Sequence, residues 1–311
     1  MTMVNNKISG KIRHKRIKNI TVLIAVLLLF LGLPLLLINY QSQKSGLSIS
    51  DVFGRKIRKT GSTLQENKSS TNFVGKEINF LDPVLIGNNF EDPPQISNIA
   101  VNDLDNNGLP DVIVCDTRNN FISWIKQDPA GVYTEIVLAS DLIAPAHAQI
   151  NDFDNDGDKD ILVAVLGMLF PSNDKIGSVV VLENDGKYNF KKHVIIEKIA
   201  RVSDVRAADF NNDGNMDLAV AQFGYDDGET RWIENLGNWK FNSHILQNLS
   251  GPINVEINDI DSDGDLDIVS LVSQEWEEIY CFVNDGSGNF KTKLLWGSNN
   301  EDFGSSGIYL Y

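Results

Sequence analysis

The sequence predicts an all-β chain. It reads as β-propeller blades of about four strands each, forming an incomplete arc of four blades plus the start of a fifth, preceded by one transmembrane helix. Three observations carry this. An aspartate loop recurs four times between short apolar runs. A glycine turn followed by an aromatic recurs at a matching offset. A single uncharged run of nineteen residues lies near the N-terminus.

That run, Ile20 to Ile38, is long enough to cross a bilayer as a helix, and its Gly32 and Pro34 are tolerated in such helices. Six Lys/Arg fall between Lys7 and Lys18. This bias predicts an N-terminus inside and the bulk of the chain outside. The run exceeds a signal-peptide core and no small-x-small cleavage site follows it, so an uncleaved anchor is expected. Residues 40–76 are rich in Ser, Asn, Lys and Gln and read as a flexible stalk. The expected organisation is a basic cytoplasmic tail over 1–19, a signal-anchor over 20–38, a stalk over 39–77 and repeats over 78–311. The blades are expected at about 87–138, 139–195, 196–246 and 247–296. The protein is thus expected to be single-pass, with its repeats extracytoplasmic, at a cell surface or in a periplasm.

The formal net charge is −15, yet residues 1–60 hold eleven Lys/Arg against one acid, Asp51. A basic head and a strongly acidic body are separate objects, and an acidic body excludes a nucleic-acid partner. Two cysteines, Cys115 and Cys281, fall at different places in different repeats. They are expected to be unpaired, packed as small hydrophobes.

The repeats decide the fold. The loops begin at Asp103, Asp152, Asp209 and Asp259, spaced by 49, 57 and 50 residues. Each is followed by a short apolar run, such as Val112-Ile-Val114 or Ile161-Leu-Val-Ala164. Such runs, bounded by turns, predict strands, so each loop joins two strands. The second marker is an Asn-x-Gly turn before an aromatic: Asn184-Asp-Gly186 with Phe190, Asn235-Leu-Gly237 with Phe241, and Asn284-Asp-Gly286 with Phe290. Gly131 and Tyr133 take these places in the first repeat. These are hairpins leading to a last strand. About four strands in some fifty residues is the size of a propeller blade. A similar strand is expected at Ile78–Ile86, and Ser306–Tyr311 resembles the strand that enters each loop.

Positions 1, 3, 5 and 9 of each loop carry Asp or Asn, and position 6 is always Gly. Crowded carboxylates repel unless a cation sits among them, and calcium accepts six to eight oxygens in flexible geometry. Gly at position 6 is expected because a side chain would obstruct the turn. Position 12 is Val114, Val163, Val220 and Ser270, inside apolar runs, so the loop is no EF-hand, which needs Glu there.

These loops resemble the FG-GAP/VCBS repeat family of integrin-α-like propellers and bacterial surface proteins, over about 78–311. The resemblance implies calcium held by Asp103, Asp105, Asn107 and Asp111; by Asp152, Asp154, Asp156 and Asp160; by Asp209, Asn211, Asp213 and Asp217; and by Asp259, Asp261, Asp263 and Asp267. Asn107 and Asn211 predict weaker first and third sites.

His193 and His244 both fall three residues after the blade aromatic and are expected to pack. His147 has no matching histidine and is the better candidate for chemistry. Trp124, Trp232, Trp239 and Trp276 are expected in blade cores, and Arg201 and Arg206 at the surface. No G-x-S-x-G, H-E-x-x-H or P-loop occurs. The preferred function is a membrane-tethered, calcium-binding module for protein or carbohydrate ligands. The alternative is a carbohydrate lyase or dehydratase of propeller type, or the propeller part of a larger enzyme.

Overall fold

A computed structural model describes residues 82–88, 93–273, 277–298 and 304–310. The expected tail, membrane span and stalk lie outside them, as does Trp276. Among the described residues no helix is long and apolar enough to cross a membrane.

Among the described residues sixteen strands form four antiparallel four-stranded sheets, each a simple meander. The first holds β1 (Ile96–Asn102), β2 (Asp111–Asp116), β3 (Phe121–Gln127) and β4 (Tyr133–Ala139). The second holds β5 (Pro145–Asn151), β6 (Asp160–Val165), β7 (Gly177–Asn184) and β8 (Phe190–Ile199). The third holds β9 (Val202–Ala208), β10 (Asp217–Gln222), β11 (Glu229–Asn235) and β12 (Phe241–Asn248). The fourth holds β13 (Pro252–Asn258), β14 (Asp267–Val272), β15 (Glu278–Asn284) and β16 (Phe290–Gly297).

The apolar runs are continuous because the second strand of each sheet is covered on both faces. In β6, Ile161 and Val163 pack with Ile113, Cys115, Ile122 and Trp124 of the first sheet. The alternate residues, Leu162 and Ala164, pack with Val205, Leu218 and Val220 of the third. The period-two alternation of a strand thus feeds two cores at once. A third core joins Ala219, Ala221 and Trp232 to Val255, Ile268 and Phe282. Each fully buried aliphatic chain contributes about 2 kcal/mol. Both cysteines are free and buried, as expected, and burial pushes Cys115 up to about 12.

The first strands of the four sheets lie side by side in order and are bracketed by side chains. The Ala148 N–H donates to Asn98 Oδ1 at 3.2 Å, and the Val255 N–H to Asp204 Oδ2 at 3.1 Å. Ser97 and Ser203 hydroxyls donate to the carbonyls of Pro145 and Pro252, each opening the next first strand. The Ile308 N–H donates to Asn254 Oδ1 at 3.0 Å, repeating the bracket, although 304–310 forms no strand. Of the strand expected at Ile78–Ile86, residues 78–81 lie outside the described residues and 82–86 form no strand. The Asn88 N–H is instead taken by the Glu135 carboxylate at 2.8 Å.

Candidate metal centres

Each aspartate loop runs from the end of the first strand to the start of the second. Position 9 is itself the first residue of the second strand: Asp111, Asp160, Asp217 and Asp267. These four are buried, with at most 1% exposure. One carboxylate oxygen of each accepts the N–H of position 2, from Leu104, Phe153, Phe210 and Ile260. The other accepts the N–H that ends the third strand, from Gln127, Asn184, Asn235 and Asn284. Position 9 therefore pins the loop to the β3–β4-type hairpin. Burial pushes Asp160 and Asp217 up to about 6, against the pull of these N–H donors.

The rim is built differently. Position 1 accepts the N–H groups of positions 5 and 6, as Asp259 does from Asp263 at 3.1 Å and Gly264 at 3.0 Å. Asp103, Asp152 and Asp209 repeat this pair of bonds. Position 6 glycines have φ of +85° to +99°, a conformation that disfavours side chains. Nothing lies within 4 Å of where their Cβ would sit, so backbone conformation and not obstruction selects glycine.

Carboxylate oxygens converge in three of the loops, in two of them with the position-9 base included. One ligand oxygen each from Asp152, Asp154 and Asp160 lies within 4.8 Å of the others, and so for Asp259, Asp261 and Asp263, and for Asp103, Asp105 and Asp111. Burial first, then Asp156 beside it, raises the pKa of Asp154. Burial, Asp263 and Asp267 do the same for Asp261. An all-oxygen, charge-crowded donor set fits a hard cation such as calcium in loops two and four. In loop three the Asn211 amide nitrogen donates to Asp213 at 3.3 Å.

Loop one departs further. Lys126 Nζ lies 2.6 Å from Asp105 Oδ2. Asn107 Nδ2 also donates to that oxygen, at 3.2 Å, and to the Gln127 carbonyl at 3.0 Å. Asn107 Oδ1 accepts the Leu109 N–H at 2.8 Å, so all its polar atoms are engaged within the protein. Sequence reasoning missed Lys126, which stands in β3 just before the hairpin. Its counterparts are Glu183, Glu234 and Val283. A register comparison at that position would have shown the outlier.

The histidines follow the repeat. His193 stacks on Trp239 with centroids 3.6 Å apart, and His244 on Trp232 at 4.6 Å. Trp124 and Trp232 are buried in cores as expected, and Trp239 is half-buried against Phe153. His147 falls at the strand position of Asn98, Asp204 and Asn254, five residues before the loop. Its Nδ1 lies 3.0 Å from Asp204 Oδ1, and Arg206 Nε is 3.6 Å from the same oxygen. All three line a groove of ≈ 550 Å³ along the first strands. Arg201 is not at the surface. It is 3% exposed, stacked 5.0 Å from Phe223 and bonded to the Leu169 carbonyl of the β6–β7 insertion, which covers it.

No curated protein matches the chain. Among solved structures, one similar chain is an Agrocybe aegerita lectin that recognises non-reducing terminal N-acetylglucosamine. It is 18% identical with a TM-score of 0.43, over 67% of this chain and 53% of that one. Another is the V. cholerae biofilm matrix protein Bap1, 17% identical with a TM-score of 0.36, over 69% of this chain and 41% of that one. The chain spans about half the length of these structures or less. Residues 103–163 and 152–220 match the model of the FG-GAP-like repeat. Residues 103–220 therefore carry FG-GAP-like repeats.

Proposed function

We propose that the four sheets are propeller blades of a calcium-stiffened binding or adhesion module. Ile20–Ile38 tethers it to a membrane with the N-terminus in the cytoplasm. The repeats face outward toward a protein or carbohydrate ligand. The observation that carries this reading is the shared loop: a buried position-9 pin, glycine at positive φ, and carboxylate oxygens brought together without a protein cation in loops two and four among the described residues. Asp152, Asp154 and Asp160 of loop two, and Asp259, Asp261 and Asp263 of loop four, would hold the ion. Its chemistry there is charge neutralisation and cross-linking of the loop. Extracellular modules of this kind bind in the range of roughly 10⁻⁴–10⁻³ M, which suits the outer side of a membrane.

The enzyme reading rests on His147 in the groove. Its repeat position weighs against it. Asn98, Asp204 and Asn254 at the same place bracket neighbouring strands, and Asp204 Oδ2 is already taken by Val255 and Asn254. Arrays of glycans and extracellular proteins probed with the full chain separate the two. Retention on one ligand class, lost in EDTA, is expected. Sugar turnover that His147→Ala abolishes would overturn the binding reading.

A further inference from the structure

The four loops look alike in sequence, but one of them has a lysine ammonium against a motif carboxylate. Asp105 is nearly buried, its side chain 4% exposed, and Lys126 Nζ sits 2.6 Å from its Oδ2 and 3.7 Å from Asp128. The ammonium is also held on its other side. It lies 5.4 Å from the Trp124 ring centroid and 5.7 Å from that of Tyr188. Those two rings pack against each other at 5.4 Å. Tyr188 comes from the β7–β8 hairpin of the next sheet, and its hydroxyl donates to the Asp105 carbonyl at 3.1 Å. The lysine is thus boxed by two carboxylates and two aromatic faces, a setting that favours a cation on both counts.

No other loop has this arrangement. The residue at the same register, one before the hairpin asparagine, is Glu183 in the second sheet, Glu234 in the third and Val283 in the fourth. Glu183 adds negative charge beside Asp154. The partner at position 5 is altered in step. Asn107 turns its amide nitrogen toward Asp105, so position 5 brings a donor and no carboxylate charge to that rim. In loops two and four position 5 is a carboxylate, Asp156 and Asp263.

We propose that loop one supplies its own cation: Lys126 Nζ pairs with Asp105, a carboxylate the motif would otherwise give to a divalent ion, so the chain binds calcium in fewer loops than it has aspartate motifs. This rests on the calcium reading above. A calcium ion at Asp105 would have to displace the ammonium from its box or share one oxygen with it, and like charges at that distance repel. Loop one is therefore set permanently, whatever the calcium level, while the later loops respond to it. The join between the first two sheets, which Lys126 and Tyr188 form together, stays rigid in chelator.

Calcium bound per chain, measured by equilibrium dialysis of the full chain against millimolar calcium, tests this. Lys126→Gln is expected to gain one bound ion over the unmodified chain, and Lys126→Arg to gain none. Adding Asp103→Asn to Lys126→Gln should remove the gained ion. A Lys126→Gln chain that binds the same number as the unmodified chain overturns the proposal. If the unmodified chain binds none and Lys126→Gln binds one, the proposal stands and the calcium reading of the other loops falls. A second measurement needs no variant. Amine acylation followed by mass spectrometry should find Lys126 protected to the same degree in EDTA and in calcium. A several-fold rise in its labelling on adding calcium would show the ion displacing it and would overturn the proposal.

Discussion

The base and the rim of a single loop do different work, and loop four shows the contrast most clearly. At the base Asp267 is 0% exposed and accepts two backbone N–H groups, from Ile260 at 2.9 Å and Asn284 at 2.8 Å. At the rim Asp261 is exposed, and partial desolvation of its carboxylate, then the charges of Asp263 and Asp267, raises its pKa. The two carboxylates are six residues apart in the motif and identical in kind. One is spent on holding backbone together. The other is held near charges of its own sign. A motif read only as a ligand list hides this, since half its aspartate chemistry serves the fold.

That contrast breaks first at the base. Asp267→Ala strands two buried N–H groups at about 1–3 kcal/mol each, so a loss of roughly 3 kcal/mol is expected. Urea unfolding should show that loss equally in EDTA and in calcium. Full recovery in calcium would put Asp267 at the rim in function.

Packing on the same side is next. Gly288, in the hairpin after β15, has φ of +74°, and a Cβ there would meet Trp232 Cη2 at 2.3 Å. The equivalent hairpin positions carry Tyr188 and Trp239, which rest on Trp124 and on Phe153 with His193. Gly288→Ala should cost about 2 kcal/mol, from overpacking and backbone strain together. A neutral result in thermal denaturation would show that the third and fourth sheets are not seated this tightly.

At the rim the effect should be conditional. Asp261→Ala should leave stability in EDTA unchanged and remove one site's share of the calcium-dependent gain. That share is about 1.4 kcal/mol at calcium tenfold above Kd. Asn211→Ala should remove less, because loop three carries an amide in place of that carboxylate. Equal losses in paired calcium titrations would sink the ranking.

The smallest effect concerns His147. Burial, only partly offset by Asp204, holds its pKa below the usual value of 6.5. The folded chain therefore keeps a neutral imidazole, and the unfolded chain takes up a proton below about pH 6.5. This contribution to stability is present above that pH and is lost as pH falls from there through the lower pKa of the folded chain. His147→Asn places there the residue found at Asn98 and Asn254, and should flatten that part of the acid slope. Unchanged slopes between the two chains in pH-dependent unfolding would contradict this role for His147.

Much of this was legible in the sequence. The period of the loops located the turns between first and second strands. The Asn-x-Gly turns located the hairpins, and Tyr133, Phe190, Phe241 and Phe290 each open a fourth strand. What could not be read follows from strand pairing. Asp111 bonds to Gln127, and Lys126 reaches Asp105, because β2 and β3 lie together, and no local spacing announces that contact. His147 seemed singular because it was compared with other histidines and not with Asn98 and Asp204 at its own register. Arg201 was misplaced because the insertion that covers it has no counterpart in the other repeats.

On the reading proposed above, the loops after the first are built around calcium. The most direct test is the melting temperature of the full chain in excess EDTA and in millimolar calcium, with magnesium as control. A rise of several degrees in calcium, little of it reproduced by magnesium, is expected from binding to the folded state alone. A melting temperature that does not move between EDTA and calcium would contradict the account.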